Sequence, residues 1–286
     1  MRTLSLCFFL AVCLCNIAIT QNFIEEVKRS VSWETTTYEE NIFRGWTVDE
    51  VKGIMGVRDI KTASPFAARP RRMALVPDEF DGRKQWPSCI HAVRNQGNCG
   101  SCWAFGALGA LSDRFCIKGK EVILSPQHLI ECDKSNFCCE GGYLDKAFKF
   151  LEKEGTVDET CKPYTMQCAG CKPEKCTKFK CKKGSIVESA DVEKTKKIIS
   201  EDGPVEGAFI VYRDFLTYKS GVYVHKTGEE LGGHAIEILG WGQEAGLKYW
   251  LCKNSWGLKW GMEGYFKIKQ GTCEIDDNMI ACAPDL

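Results

Sequence analysis

The chain has 286 residues with 38 basic and 38 acidic side chains, so its formal net charge is zero. That balance gives no general attraction to nucleic-acid phosphates or anionic membranes. Hydrophobic residues at 44% and charged ones at 27% are globular usage and exclude long disorder. The length suits one large or two modest domains around a substantial core. Eighteen cysteines are the unusual feature, and they imply either an oxidising compartment or several metal sites.

Residues 1–20 carry one charge, Arg2, ahead of an almost unbroken apolar run from Leu4 to Ile19. This reads as a secretory signal peptide that is removed. A membrane anchor is the alternative, but the run falls short of the ~20 apolar residues needed, and no other stretch could span a bilayer. Loss of Cys7, Cys13 and Cys15 leaves an odd fifteen cysteines, so at least one thiol stays unpaired and is a candidate reactive group. Cys99-Gly-Ser-Cys102 and Cys168-Ala-Gly-Cys171 have metal-like spacing. With four histidines and an oxidising compartment, however, neither a metal nor another cofactor is expected.

Residues 21–75 contain no cysteine, whereas 89–181 hold most of them. The break marks a segment folded on different terms, containing Trp33, Trp46 and Gly53-Ile-Met-Gly-Val57. It ends near the basic run Arg69-Pro-Arg-Arg72, which suits a processing linker or a plain connector.

Four helices follow. Trp103–Phe115 has apolar residues at helical spacing; Ser125-Pro126 caps the next; Tyr143–Glu154 places Leu144, Ala147, Phe148 and Leu151 on one stripe ahead of Gly155. Asp191–Ser200 is stopped by Gly203-Pro204. Strands are predicted at Val205–Tyr212, Gly221–Val224, His234–Trp241, Tyr249–Lys253 and Tyr265–Lys269. Helices first and strands second give an α+β protein of two lobes, with a cleft between them as the natural site.

Gln96-Gly-Asn-Cys99-Gly-Ser-Cys102-Trp-Ala-Phe-Gly106 opens the first of these helices. Cys102 therefore sits where unpaired N–H groups and the helix dipole favour an anion, which activates a thiol as its thiolate. The alternative makes both cysteines structural. Cys99-Gly-Ser-Cys102-Trp103 resembles the active-site signature of papain-like cysteine proteases, in which the second cysteine is the nucleophile and the first is disulfide-bonded.

A cysteine nucleophile needs a histidine to share its proton. His91 and His128 read as surface or structural residues and His225 as a turn residue. His234, in Gly232-Gly-His-Ala-Ile-Glu-Ile-Leu-Gly-Trp-Gly242, stands 132 residues after Cys102, within the usual spacing. Asn254 in Asn254-Ser-Trp-Gly257 matches the residue that orients the imidazole. By the resemblance, Gln96 and the Cys102 N–H form the oxyanion hole, Trp256 covers the Asn–His contact, and Trp260 packs or lines the leaving-group side. The paired glycines Gly141 and Gly142 bind an extended substrate backbone; Gly233 and Ala235 flank the histidine at the same cleft.

The resemblance covers residues 76–286 closely and 21–75 loosely. It implies a papain-like fold of a helical lobe and a β-barrel-like lobe, a signal peptide over 1–20, an inhibitory propeptide over 21–75 and a peptidase domain over 76–286. Val76-Pro-Asp-Glu-Phe-Asp81, Gly203-Pro-Val-Glu-Gly-Ala-Phe209 and Tyr218-Lys-Ser-Gly-Val-Tyr223 are cathepsin B-like, as is the short propeptide. Two departures matter. The long loop that in cathepsin B carries a carboxylate-binding His-His pair is reduced here to Cys168-Ala-Gly-Cys171, and no histidine lies between Glu140 and Val224. An endopeptidase with an open primed side is therefore expected, unless Lys162, Lys172 or Lys175 captures a carboxylate. Asn278 takes the place of the glutamate at the floor of the S2 pocket, which shifts P2 preference toward apolar residues; a slip of one residue would place Asp277 there instead.

Also by resemblance, the expected disulfides are Cys89–Cys116, Cys99–Cys139, Cys132–Cys176, Cys161–Cys181 and Cys168–Cys171, with Cys138, Cys252, Cys273 and Cys282 unassigned. The function implied is a cysteine endopeptidase zymogen of a lysosome- or vacuole-like compartment or the extracellular space. It would be a monomer acting on proteins or peptides and held by its own propeptide and by cystatin-type inhibitors. A non-catalytic binding protein on the same scaffold is the alternative, but it would be expected to lack the nucleophile or base. A disulfide-rich structural or inhibitor protein leaves the odd cysteine and the pro-segment unexplained.

Overall fold

The computed structural model describes residues 16–60, 76–172 and 175–286. Residues 1–15 of the expected 1–20 leader and the basic run Arg69–Arg72 lie outside the described residues. Within the described residues no helix is long and apolar enough to cross a membrane.

The protein is α+β, with two separate hydrophobic cores. One is helical. Helix α4 (Cys102–Ile117) forms its axis, with α5 (Pro126–Cys132) and α6 (Leu144–Lys153) packed against it around Trp103, Leu108, Phe115, Leu129 and Phe148. Residues on nearly every side of α4 are buried, because a second layer covers the face opposite α5 and α6. Ser125 caps α5 by accepting the His128 N–H, and Pro126 fills the first turn, where no N–H is needed.

The second core belongs to a twisted sheet. Its strands are β3 (Val187–Ser189), β4 (Val205–Tyr212), β6 (Val222–Tyr223), β7 (Glu230–Glu244), β8 (Leu247–Lys253), β9 (Tyr265–Lys269) and β10 (Met279–Ala281). They run in the order β3-β10-β4-β7-β8-β9-β6, and β2 (Phe80–Asp81), which leads into the short α3 (Gly82–Gln85), pairs with β7. Helix α7 (Val192–Asp202) lies beside the sheet and ends at Gly203, whose φ of +104° favours glycine. Strand β7 is longer than its sequence pattern suggests, since its first residues pair with the end of β4.

Residues 16–60 wrap the outside of this sheet and then cross the cleft. Helix α1 (Gln21–Ser30) buries Phe23, Ile24 and Val27 in the sheet lobe's core, and β1 (Glu34–Thr35) pairs antiparallel with β5 (Tyr218–Ser220). The short α2 (Val48–Gly53) is held by a reciprocal cap: Thr47 Oγ1 accepts the Glu50 N–H, and the Glu50 carboxylate accepts the Thr47 N–H. Trp33 donates Nε1–H to Val224 O at 3.1 Å, and Asn41 Nδ2 donates to Leu216 O at 3.0 Å, so this segment is stitched to the sheet lobe at several points.

Among the described residues there are six disulfides: Cys89–Cys116, Cys99–Cys139, Cys132–Cys171, Cys138–Cys168, Cys161–Cys176 and Cys181–Cys282. The expected pairs Cys132–Cys176, Cys161–Cys181 and Cys168–Cys171 are therefore corrected. The loop bearing Cys168 and Cys171 does not close on itself. It lies across the helical lobe, where Cys168 meets Cys138 in the turn before α6, and Cys171 meets Cys132 at the end of α5. Cys176 then closes the short loop back to Cys161. Cys181 pairs antiparallel with Pro284 along the backbone, which brings its Cα within 5.7 Å of that of Cys282. Among the described residues the unpaired thiols are Cys102, Cys252 and Cys273.

Candidate active site

Cys102 is the first residue of α4, at the boundary between the two cores, and is completely buried. The chain that covers it is residues 54–58. The Gly56 N–H points at Cys102 Sγ at 3.1 Å. A methyl group at Gly56 would fall 2.1 Å from the Gly100 carbonyl oxygen, so only glycine lets the backbone come this close.

His234 stands on β7 and Asn254 directly after β8, and the pairing of these strands brings the two together. His234 Nε2 lies 2.7 Å from Asn254 Oδ1. That oxygen can only accept, so the ring carries its proton on Nε2 and leaves Nδ1 as the basic nitrogen. Nδ1 is buried with no protein partner. The Trp256 indole lies over the imidazole, with ring centroids 4.8 Å apart, and screens the Asn–His bond from water. Trp260 packs edge-on against Trp256 at 5.0 Å, a packing role.

Burial sets the electrostatics. It pushes the Cys102 thiol up to about 12, against the opposing pull of the Ala235, Gly56 and Trp103 N–H groups. It lowers His234 to about 4, with the Asn254 bond opposing. With the cleft covered, thiol and imidazole are both neutral. Glu206 on β4 is a buried acid that the sequence motifs passed over. Burial raises its carboxyl well above the usual range, so it stays protonated and adds no negative charge near the sulfur. Its signal was an acidic residue inside the apolar run of β4.

Gln96 is fully buried, and its side-chain amide donates to Cys99 O and to Ile54 O, both at 2.9 Å. Its Oε1 accepts the Ser255 hydroxyl at 2.7 Å, which fixes which end donates. The Ile54 carbonyl of the covering chain thus takes up a buried side-chain donor.

The glycines hold the covering chain by its backbone. Gly142 N–H donates to Gly56 O at 2.8 Å, and Gly142 O accepts the Arg58 N–H at 3.0 Å. Gly233 O accepts the Val57 N–H at 3.0 Å. Val57 pairs parallel to Gly142 and antiparallel to Gly233. Gly141 adopts φ +101°, and a side chain there would collide with Gly56 O. Ala235 contributes its N–H to the sulfur. Asn278 lines a cavity of about 210 Å³ that adjoins the crossing, with Asp59 of the covering chain, Leu144, Glu188, Asp277 and Met279. Lys162, considered above as a carboxylate trap, pairs with Glu131 at 3.0 Å.

A further buried group belongs to no sequence motif. Lys253, which precedes Asn254, lies 2.9 Å from Asp113 of α4 and 2.9 Å from Glu237 of β7, and His91 bonds to the other Asp113 oxygen at 2.5 Å. One ammonium thus ties together the three elements that carry Cys102, His234 and Asn254. Burial raises Glu237 well above the usual range. Asp113 is held low because Lys253 and His91 overcome its own burial.

Cys138, Cys139 and Cys168 bring three sulfurs within 4.8 Å of one another, but all three are oxidised in disulfides and so offer no thiolate to a metal.

Comparison with known proteins gives the same answer as the geometry. Residues 76–283 match the family model described as papain family cysteine protease. Cathepsin B-like CP3 of Giardia intestinalis is 39% identical over 256 residues, covering 83% of this chain and 85% of that protein. Cathepsin B of Dictyostelium discoideum is 40% identical over 233 residues, covering 73% and 75%. Among solved structures, procathepsin B S9 from Trypanosoma congolense superposes with a TM-score of 0.84 at 27% identity, over 94% of this chain and all of that one. Digestive procathepsin L2 from Tenebrio molitor gives 0.73 at 29% identity, over 93% and 89%. With a family match over most of its length and proenzymes as structural neighbours, the chain belongs to the papain family of cysteine proteases, as a cathepsin B-like peptidase made as a zymogen.

Proposed function

We propose that Cys102 is the nucleophile, His234 the acid and base, Asn254 its orienting partner and Gln96 an oxyanion donor of an endopeptidase. The observation that carries this reading is the covered sulfur at the α4 N-terminus, in a cleft lined by a His234–Asn254 pair whose basic nitrogen is unpartnered. Once the cover leaves, water and the helix dipole favour transfer of the thiol proton to Nδ1. The sulfur then adds to the scissile carbonyl carbon, and the oxyanion is held by Gln96 Nε2 and the Cys102 N–H. The imidazolium gives its proton to the leaving amine, which departs and leaves a thioester on Sγ. Water then gives a proton to Nδ1 and its oxygen to the acyl carbon, and the thiolate leaves.

Residues up to 75 act as leader and propeptide, and 76–286 as the peptidase domain. The propeptide uses the backbone groups of Gly142 and Gly233 that a substrate would use. With no histidine between Glu140 and Val224, no imidazolium pair docks a substrate carboxylate on the primed side, and cleavage inside chains follows. The cavity beside Asn278 is lined by Leu144, Ala190, Met279 and Ile280 together with the carboxylates of Asp145, Glu188 and Asp277. It suits leucine or phenylalanine at P2 and admits an arginine whose head reaches Asp277. Six disulfides suit the secretory pathway, with a lysosome-like compartment or the exterior as destination. Cystatin-type inhibitors would enter the same open cleft, and the enzyme acts as a monomer.

The experiment is profiling of the acid-activated protein with peptides whose C-termini are blocked or free, alongside iodoacetamide labelling. Alkylation confined to Cys102, competed by substrate, with blocked peptides cleaved as well as free ones, is expected. Efficient removal of C-terminal dipeptides would refute the endopeptidase reading, and full activity in Cys102→Ala would refute the mechanism.

A further inference from the structure

Residues 16–20 fall inside the stretch that hydropathy alone gives to the leader, yet they are built into the folded zymogen. Ala18 and Ile19 are fully buried in the sheet lobe's core. Ala18 N–H donates to Trp46 O and Val48 N–H to Asn16 O, each at 2.8 Å, so Asn16–Ala18 runs as an added strand beside residues 46–48. Thr20 Oγ1 accepts the Phe23 N–H at 3.2 Å and caps α1.

The peptidase domain grips this strand through one side chain. Arg213, just after β4, donates from Nε to Ala18 O at 2.7 Å and from Nη2 to Ile17 O at 3.0 Å. Its guanidinium carbon lies 4.2 Å from the centre of the Phe23 ring, and Glu229 stands 3.6 Å away on the other side. The guanidinium is thus aimed at two propeptide carbonyls and one propeptide ring.

A cut after Thr20 would discard both buried side chains, the cap and both Arg213 acceptors. It would also leave a new ammonium group at the first residue of α1, where the helix dipole is already positive. A cut before Asn16 keeps these contacts. The residues one and three positions before that bond are Cys15 and Cys13, small side chains that follow the apolar run from Leu4, which is the pattern of a signal-peptidase site.

We propose that the leader is hydrolysed at the Cys15–Asn16 bond and that Asn16–Thr20 is an inhibitory clasp held by Arg213. Water supplies the hydroxyl that leaves Cys15 as a carboxylate and the proton that leaves Asn16 with a free amine. This rests on the reading of the chain as leader, propeptide and peptidase. The clasp makes the propeptide longer at its amino end than the apolar run suggests, and it makes its first five residues part of the latch.

The test is the full-length chain carrying Cys102→Ala, secreted from a eukaryotic host, with the amino terminus of the product read by sequencing and intact mass. A start at Asn16 is expected. A start at Gln21, or anywhere else within the chain, overturns the site, whereas a product that still begins at Met1 overturns the leader reading as well. The clasp is tested in the zymogen with Cys102 intact, using Arg213→Ala and, separately, Ala18→Glu, which is absent from the processed enzyme. Each should convert at acid pH about tenfold faster, as loss of two charge-assisted hydrogen bonds or of a buried contact implies. The kcat/KM of the fully processed enzyme should stay the same. Unchanged conversion in both variants overturns the clasp.

Discussion

Lowering the pH should loosen the propeptide from the cleft, and His234 sets the window. In the covered site burial holds this imidazole down to about 4, against an ordinary value of 6.5. Uncovered, the ring regains water, and its pKa returns toward 6.5. The covered state therefore binds fewer protons between those values, and its advantage, complete above pH 6.5, is lost as the pH falls toward 4. At 1.36 kcal/mol per unit, the difference is about 3 kcal/mol, or roughly 300-fold in the open population. A suitable assay is hydrogen exchange at the Val57 and Arg58 amides, which donate to Gly233 O and Gly142 O. It would be run on the Cys102→Ser zymogen, which cannot process itself. Protection, corrected for intrinsic rates, should fall about 100-fold from pH 7 to pH 4. In the same background, His234→Gln should show less than about a tenfold fall, since the amide does not titrate. Equal falls in both proteins would refute the argument and assign acid sensitivity to other groups.

Four further outcomes follow. Gly56→Ala should give a zymogen with measurable activity toward a small peptide before any processing, because the new methyl would sit 2.1 Å from Gly100 O and force the crossing chain outward. Lys253→Met should lower unfolding stability by about 3–5 kcal/mol in urea titration, since Asp113 and Glu237 lose their buried cation; a loss under about 1 kcal/mol would mean that the carboxyls simply share a proton. Asp277→Asn should reduce cleavage of P2-arginine peptides about tenfold while leaving P2-leucine peptides unchanged, measured as kcat/KM. Replacing Cys181 and Cys282 together by serine should cost about 2–5 kcal/mol, because that bond closes a loop of 101 residues.

Much of the site is written locally and can be read without coordinates. A cysteine that opens an apolar helix, a histidine between glycines and a strand, and an asparagine at a strand end each carry their chemistry in neighbouring residues. The helices after Cys102 and the strands from Val205 onward follow for the same reason, since apolar period and turn residues are short-range signals. What was illegible is what depends on partners far away in the chain. Cys168 and Cys171 are spaced like a pair, yet each bonds to a cysteine at least 30 residues earlier. Lys253 reads as an ordinary strand residue until Asp113, 140 positions away, is placed against it. The propeptide helices are short and carry a weak local signal, for they are stabilised mainly by the sheet lobe they cover.

The segment that crosses the cleft is joined to the peptidase domain through the fifteen or so residues between Ile60 and Val76. A covalent connection makes the closing of the cleft an intramolecular event. Before the tether is cut, latency is independent of how dilute the protein is. After a single scission the same contacts act between separate molecules, and simple dilution shifts the balance toward the open enzyme. The cut thus acts as a switch even if it leaves every contact in the groove unchanged.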